Sequence, residues 1–199
     1  DPRSHIYFED AKTFFATHPA RYDVIVSEPS NPWVSGVATL FSDEFYAQLT
    51  RYLAPDGMLL QWVQVYETDT GIVSSIIRAL APHFADFALY HADDGNIIIV
   101  ATRSGKVGIP GGRIFENAAT HAELQRVGLL TLRDVQARFI AGRDLMLPLA
   151  LSYRVPANSD YFPYVDLNAI RARITQRNAV ELPMLTALPV PLMDLLLHT

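Results

Sequence analysis

Residues 22–32 read Tyr22-Asp23-Val24-Ile25-Val26-Ser27-Glu28-Pro29-Ser30-Asn31-Pro32, and this stretch decides the fold class. Its first six residues form a short, nearly continuous β-branched run, which is the pattern of a strand covered on both faces in a parallel sheet. Each proline restricts the residue before it to extended geometry, so the strand runs into a constrained loop. The loop therefore places Glu28 and Asn31 near the carboxyl end of the predicted strand.

The segments around this strand alternate between helix and strand patterns. Ser42 is a predicted helix cap, because two acidic residues follow it in the first turn of an amphipathic segment. The last two strand patterns are joined by a connection too short for a crossover helix, so we predict an antiparallel hairpin. The predicted order is strand 5–8, a short helix from 11, strand 22–27, a helix from 42, strand 58–66, helix 68–83 and strands 87–91 and 96–102.

Parallel units that end in an antiparallel hairpin indicate an α/β fold. We predict a class I methyltransferase-like (Rossmann-like) doubly wound sheet, with its N-terminal strands missing, rather than the dehydrogenase type. Residues 1–103 form a partial nucleoside-binding and catalytic domain in this interpretation. Residues 104–199 form a C-terminal helical extension packed on it, with helices near 116–127 and 131–141 and a further helix after the Pro-marked segment 157–166.

Composition excludes several classes of function. The net charge of −5 argues against a nucleic-acid surface, and the absence of cysteine excludes disulfides and thiol nucleophiles. The histidines lack the spacing of a helical metal site, so we expect no metal. Prolines interrupt the longest apolar tail, residues 182–197, so we predict no membrane span. We expect a cytoplasmic protein, and leave open a membrane attachment of the full-length protein.

Ligands of open α/β sheets bind beyond the carboxyl ends of the strands, so the loop after residue 27 is the first candidate site. From the residues alone, Glu28 is either a catalytic carboxylate or part of the loop structure. Trp33 is either a wall facing the substrate or an anchor of the loop. Asp10 either accepts from an adenine amino group or caps the helix that follows it.

The stretch 22–32, together with Leu40-Phe41 and Glu44-Phe45-Tyr46, resembles the active-site strand and loop of the spermidine synthase family of aminopropyltransferases, in a divergent branch. Glu9-Asp10-Ala11 resembles the acidic pair with which that family contacts adenine. Residues 158–166 resemble a closing Asn-Thr-Asp-x-x-Pro element. The resemblance covers residues 5–102 and this late segment.

The resemblance implies transfer of an alkyl group from decarboxylated S-adenosylmethionine, or a close analogue such as S-adenosylmethionine, to a small-molecule amine. Glu28 takes the position of the proton-accepting aspartate, and Asn31 that of a second, substrate-binding aspartate whose charge is lost here. The implied cofactor-binding residues are Asp10, Ala11 and Ser27. The implied substrate-binding residues are Asn31, Trp33, Gln61, Gln64 and Glu67; for the last three, an exposed or edge position without function is the alternative.

The family carries a glycine-rich cofactor loop after its first strand, and no segment of this sequence matches it. We therefore expect a missing N-terminal half, a homodimer as the native state, and no turnover by residues 1–199 alone. Two alternatives stay open at this stage. One is an S-adenosylmethionine-dependent methyltransferase, favoured by the lost charge at Asn31, and the other is a non-catalytic spermidine synthase-like binding module.

Overall fold

A computed structural model of the chain describes residues 2–108, 110–179 and 181–185. Its strands form one mixed sheet in the order β1-β2-β4-β3-β5. The strands are β1 (Tyr22–Ser27), β2 (Leu53–Gln64), β3 (Asp86–Asp93), β4 (Asn96–Thr102) and β5 (Phe139–Gly142).

Helices are the main secondary structure of the described residues outside the sheet. They are α1 (Ala11–Thr17), α2 (Asp43–Tyr52), α3 (Thr70–Leu80), α4 (Ala118–Arg126), α5 (Leu132–Gln136), α6 (Arg143–Ser152), α7 (Tyr164–Ile174) and α8 (Glu181–Met184). Short 3₁₀ helices lie at Val37–Phe41 and Gly112–Phe115.

The strand directions confirm the predicted fold class. β1 and β2 are parallel, and β4 is antiparallel to both β2 and β3. β3 therefore runs in the same direction as β1 and β2, and the β3–β4 hairpin inserts one reversed strand between β2 and β3. This is the predicted α/β sheet that ends in an antiparallel hairpin.

Side-chain caps explain where the first helices begin. The Ser42 hydroxyl accepts a hydrogen bond from the backbone N–H of Phe45 at 3.2 Å, which confirms the predicted cap of α2. Asp10 and Asp69 cap α1 and α3 in the same way. Each cap satisfies a backbone donor that the first helical turn leaves without a partner.

One face of the sheet carries the core. Leu59 of β2 and Ile97 and Ile99 of β4 are fully buried, and α3 is buried along almost its whole length. The opposite face is partly open: Val24 and Val26 of β1 are 48% and 66% exposed. Within the described residues β1 is an edge strand, with β2 as its neighbour on one side.

Residues 5–8 correct one prediction, because they form no strand. Ile6 and Phe8 are 78% and 97% exposed, and the segment precedes α1 as irregular chain. A strand needs a neighbour for its backbone hydrogen bonds, and the described part of the chain places none beside these residues.

The segment after residue 131 corrects a second prediction. The expected helix 131–141 stops at Gln136, and Phe139–Gly142 forms β5 instead. The reason is tertiary: β5 pairs with the edge of β3, where Leu89 lies opposite Ala141. The C-terminal extension is thus mainly helical but adds one strand to the sheet, and the proposed division at residue 103 stays a prediction.

The bounds of two further elements differ from the prediction. β2 begins at Leu53 rather than residue 58, because the chain already pairs with Tyr22 there, and α3 is shorter than the predicted helix 68–83. No helix of the described residues is long and apolar enough to cross a membrane. The end of the apolar tail, residues 186–199, lies outside the described residues.

Candidate functional site

The carboxyl ends of β1 and β2 lie side by side. Ser27 and Gln61 are register partners in the parallel pair. The side chain of Gln61 is fully buried, and its Nε2 donates to the carbonyl oxygens of Ser27 at 3.3 Å and Trp62 at 3.1 Å. Its Oε1 is buried and has no hydrogen-bond partner in the part of the chain that the structure describes. Two predicted site residues are therefore in contact at this edge.

Gln64 ends β2 three residues later and is also buried. Its Nε2 donates to the carbonyl oxygen of Tyr66 at 3.1 Å. β2 lies between β1 and β4, so neither Gln61 nor Gln64 occupies the exposed or edge position that was the alternative for them. Their part in substrate binding stays a prediction.

Glu67 lies where the chain leaves β2 and turns toward α3. Its φ of +48° is in the left-handed region, which a non-glycine residue adopts only where its surroundings hold it. The backbone N–H of Glu67 donates to Asn178 Oδ1 at 2.8 Å, and its carboxylate lies 3.6 Å from Arg173 Nε. The C-terminal extension thus fixes this residue.

Glu28 directly follows β1 and is exposed. Asn31 is half-buried, and its carbonyl oxygen accepts from the backbone N–H of Val34 at 2.9 Å, which closes a turn. Pro32, within this turn, is buried. The structure therefore presents an exposed carboxylate at the end of β1, on a loop that packs against the protein from Asn31 onward.

Trp33 is half-buried in this loop. Its ring packs edge-on against Tyr66, with the centroids 6.4 Å apart, and the Arg173 guanidinium lies 4.9 Å above the ring centroid. These contacts are those of a loop anchor. The substrate-facing role of Trp33 stays a prediction.

Asp10 caps α1, since its Oδ1 accepts from the backbone N–H of Thr13 at 3.0 Å. Asp10 is exposed, and Ala11 beside it is half-buried at the start of α1. The cap accounts for the position of the carboxylate. The proposed contacts of Asp10 and Ala11 with a nucleoside stay predictions.

None of four surface cavities of the described residues brings Asp10 and Glu28 together. Four cavities of 440 to 630 Å³ open on the surface of the described residues, and neither carboxylate lines any of the four. The cavity of about 630 Å³ lies between α1 and β1 and is lined mainly by aromatic side chains, among them Phe14 and Tyr22, with Val24 at its edge. The region around Glu28 is open because β1 has a described neighbour on one side only.

A buried asparagine that the sequence analysis did not predict as a site residue joins the 3₁₀ helix Val37–Phe41 to the C-terminal extension. Asn158 Nδ2 donates to the carbonyl oxygen of Ala38 at 2.9 Å, and its Oδ1 accepts from the backbone N–H of Val165 at 3.0 Å. Asn158 is 1% exposed. The Asn-Ser-Asp pattern had marked this segment, whereas Arg173 and Asn178 carry no sequence pattern that would have revealed their contacts.

Charged groups connect α1 and α2 to the same segment. Burial raises the pKa of Glu44, but hydrogen bonds from the Ser159 hydroxyl and the Asp160 backbone N–H outweigh burial, so the pKa lies below its ordinary value. Lys12 of α1 pairs with Asp160 at 2.8 Å. Among the described residues, no three His, Asp or Glu side chains are grouped to hold a metal ion.

Comparison with known proteins finds relatives of this chain. Residues 1–93 match the spermine/spermidine synthase domain. Polyamine aminopropyltransferase 1 of Pseudomonas aeruginosa is 32% identical over 134 residues, which are 67% of this chain and 43% of that protein. Polyamine aminopropyltransferase of Alkaliphilus oremlandii is 40% identical over 60 residues, 30% of this chain and 21% of that protein.

A solved structure supports the fold. The crystal structure of a probable spermidine synthase from Corynebacterium glutamicum superposes with a TM-score of 0.51 and 20% identity, over 80% of this chain and 55% of that chain. The chain matches less than half the length of both curated relatives. On the matched residues 1–93, this chain belongs to the spermine/spermidine synthase domain family.

Proposed function

We propose that the complete protein is an aminopropyltransferase-like enzyme that transfers an alkyl group from decarboxylated S-adenosylmethionine to an amine. One observation carries the proposal most: the Glu28 carboxylate follows directly on the Ser27–Gln61 pair at the carboxyl edge of β1 and β2. Membership of the spermine/spermidine synthase domain family supports the same reaction class.

The reaction needs a carboxylate at such a position. The amine nitrogen forms a bond to a carbon attached to a sulfonium, while the carbon–sulfur bond breaks and its electron pair stays on sulfur. The nitrogen loses a proton, which the Glu28 carboxylate accepts. Alignment of nitrogen, carbon and sulfur supplies much of the acceleration.

The other predicted residues divide between the two substrates. Asp10, Ala11 and Ser27 contact the nucleoside in this proposal. The amine is bound by a set drawn from both strand ends, namely Asn31, Trp33, Gln61, Gln64 and Glu67. Asn31 is neutral, so the site attracts a cationic amine less strongly than two carboxylates would.

The free edge of β1 leads to a second part of the proposal. Val24 and Val26 expose about half or more of their surface, and an edge strand with unpaired backbone groups is a template for another strand. We infer that a further segment, from the N-terminal half of the same protein or from a second chain, pairs with β1 and closes the nucleoside pocket. The homodimer stays part of this proposal.

Calorimetry on the complete protein tests the function. We expect decarboxylated S-adenosylmethionine to bind more tightly than S-adenosylmethionine. Tighter binding of the carboxylated form would favour the methyltransferase. The neutral side chain of Asn31 is the sequence feature that favours this alternative. Absence of binding by both nucleosides would favour a non-catalytic module.

A further inference from the structure

Four side chains bring together the loops that follow β1 and β2. Trp33 comes from the loop after β1, Tyr66 and Glu67 follow β2, and Arg173 lies in the last turn of α7. We name these four residues the Trp33 cluster. The sequence analysis predicted no contact among these four residues, and Arg173 belongs to no motif of the sequence.

Arg173 is the member that touches both loops. Its guanidinium lies 4.9 Å above the centroid of the Trp33 ring, and its Nε lies 3.6 Å from Glu67 Oε2. A planar guanidinium can stack on a ring with its face while its edge pairs with a carboxylate. A lysine ammonium lacks that plane, so it cannot make both contacts in the same way.

The partners of Arg173 are themselves fixed. Asn178 Oδ1 holds the Glu67 backbone N–H at 2.8 Å, and Tyr66 packs edge-on against Trp33. Arg173 therefore connects α7 to the Glu67 carboxylate and to the Trp33 ring. The loop begins at Glu28, five residues before Trp33.

We propose that Arg173 is a positioning residue, which holds the loop of residues 28–36 through Trp33 and so fixes the Glu28 carboxylate at the carboxyl edge of the sheet. The inference rests on the proposed function for the role of Glu28. The bridge from Arg173 to Trp33 is independent of that function and can be measured by itself.

The first experiment follows Trp33 directly. The complete protein is labelled with 5-fluorotryptophan, and the ¹⁹F resonance of Trp33 is assigned by its loss in Trp33→Phe. We expect Arg173→Ala to shift and broaden this resonance, and Arg173→Lys to shift it less. Arg171→Ala is the matched control, since Arg171 is an exposed arginine of the same helix, and should leave the resonance unchanged. An unchanged resonance in Arg173→Ala overturns the proposal.

The second experiment separates positioning from mere stability. In steady-state kinetics of the complete protein, we expect Arg173→Ala to lower kcat by roughly 10- to 100-fold, because a small misplacement of a reacting group has effects of this size. KM for the nucleoside and the melting temperature should stay close to those of Arg171→Ala, since no part of the nucleoside site contacts Arg173.

The outcomes of the two experiments can be told apart. A shifted Trp33 resonance with unchanged kcat overturns the positioning role while the proposed function stands. A wild-type protein without any turnover removes the proposed function, and the resonance still decides whether Arg173 holds the loop. If kcat falls in Arg173→Ala and the melting temperature also falls well below that of Arg171→Ala, Arg173 is a structural residue and the proposal is overturned.

Discussion

Gln61 Nε2 donates to the carbonyl oxygen of Ser27 at 3.3 Å, and this contact ties the ends of two parallel strands to each other. The Oε1 of the same carboxamide is buried and has no hydrogen-bond partner among the described residues. A buried acceptor without a donor costs free energy, so the two bonds made by Nε2 only partly offset the burial of this side chain.

Substitutions of Gln61 test this arrangement. We expect Gln61→Met to change the free energy of unfolding by less than about 1.5 kcal/mol, because it removes two hydrogen bonds together with the unpartnered oxygen. Gln61→Glu has nearly the same shape but places a carboxylate among the carbonyl oxygens of Ser27 and Trp62, and should cost about 3 kcal/mol or more at pH 7. Urea denaturation measures both, and equal stability of the two variants would contradict the buried geometry.

Glu28→Gln tests the proposed base. We expect turnover of the complete protein to fall by roughly 10²- to 10⁴-fold, because the neutral amide cannot accept the proton. Ser30→Ala in the same loop is exposed and serves as the control, with turnover close to wild type. A Glu28→Gln enzyme with full activity would place the base elsewhere.

Asn158→Ala tests the connection between the 3₁₀ helix Val37–Phe41 and the extension. The substitution removes both side-chain hydrogen bonds of Asn158 and leaves the buried Val165 N–H without this acceptor, so we expect a loss of about 2 kcal/mol in the free energy of unfolding. Asn168→Ala is the control, since Asn168 is half-buried and donates only to the Tyr164 carbonyl oxygen within its own helix. Chemical denaturation of the two variants gives the comparison.

Glu44 should make stability depend on pH. Its pKa in the folded protein lies below the ordinary glutamate value of 4.5, so its carboxylate stabilises the fold above that pH. The contribution is lost as the pH falls through the lowered pKa. We expect the difference in stability between wild type and Glu44→Gln to be present at neutral pH and to shrink in acid.

Ser159→Ala is the companion variant for Glu44, because it removes the hydroxyl that donates to Glu44 Oε1 at 2.7 Å. It should reduce the pH dependence without abolishing it, since the Asp160 N–H remains. A pH-independent difference between wild type and Glu44→Gln would show that the carboxylate is not held as described.

The open edge of β1 predicts association. Residues 1–199 alone should show no turnover and should self-associate as concentration rises, because the described residues place no strand beside the outer edge of β1, where Val24 and Val26 are exposed. Val26→Lys should reduce this association in sedimentation velocity. Val127→Lys, at a side chain of similar exposure in the extension, should not. Equal sedimentation of all three proteins would mean that the edge of β1 does not mediate self-association.

Much of the fold could be predicted from local patterns. The β-branched run 22–27 and the cap at Ser42 depend on neighbours in sequence, and both elements form where they were expected. The hairpin followed from the length of a single connection. β5 could not be predicted, because the residues Phe139–Gly142 become a strand only where the edge of β3 accepts their hydrogen bonds.

The site was predictable only in part. The sequence placed Glu28 at the end of a strand and Gln61 within the predicted strand 58–66, and the structure puts Gln61 against Ser27. The sequence could not indicate that Arg173 contacts Trp33, which lies 140 residues earlier in the chain, since no spacing rule connects residues so far apart.

The sequence by itself determined the alternation of strands and helices, the loop at Glu28 and the family to which residues 1–93 belong, because these depend on side-chain pattern and turn chemistry within short stretches. Only the tertiary structure decided that β1 is an edge strand within the described residues, that Gln61 is buried, and that Asn158 contacts Ala38 and Arg173 contacts Trp33. Those features arise from packing between distant segments, where burial and hydrogen-bond partners are set by the whole fold rather than by neighbouring residues.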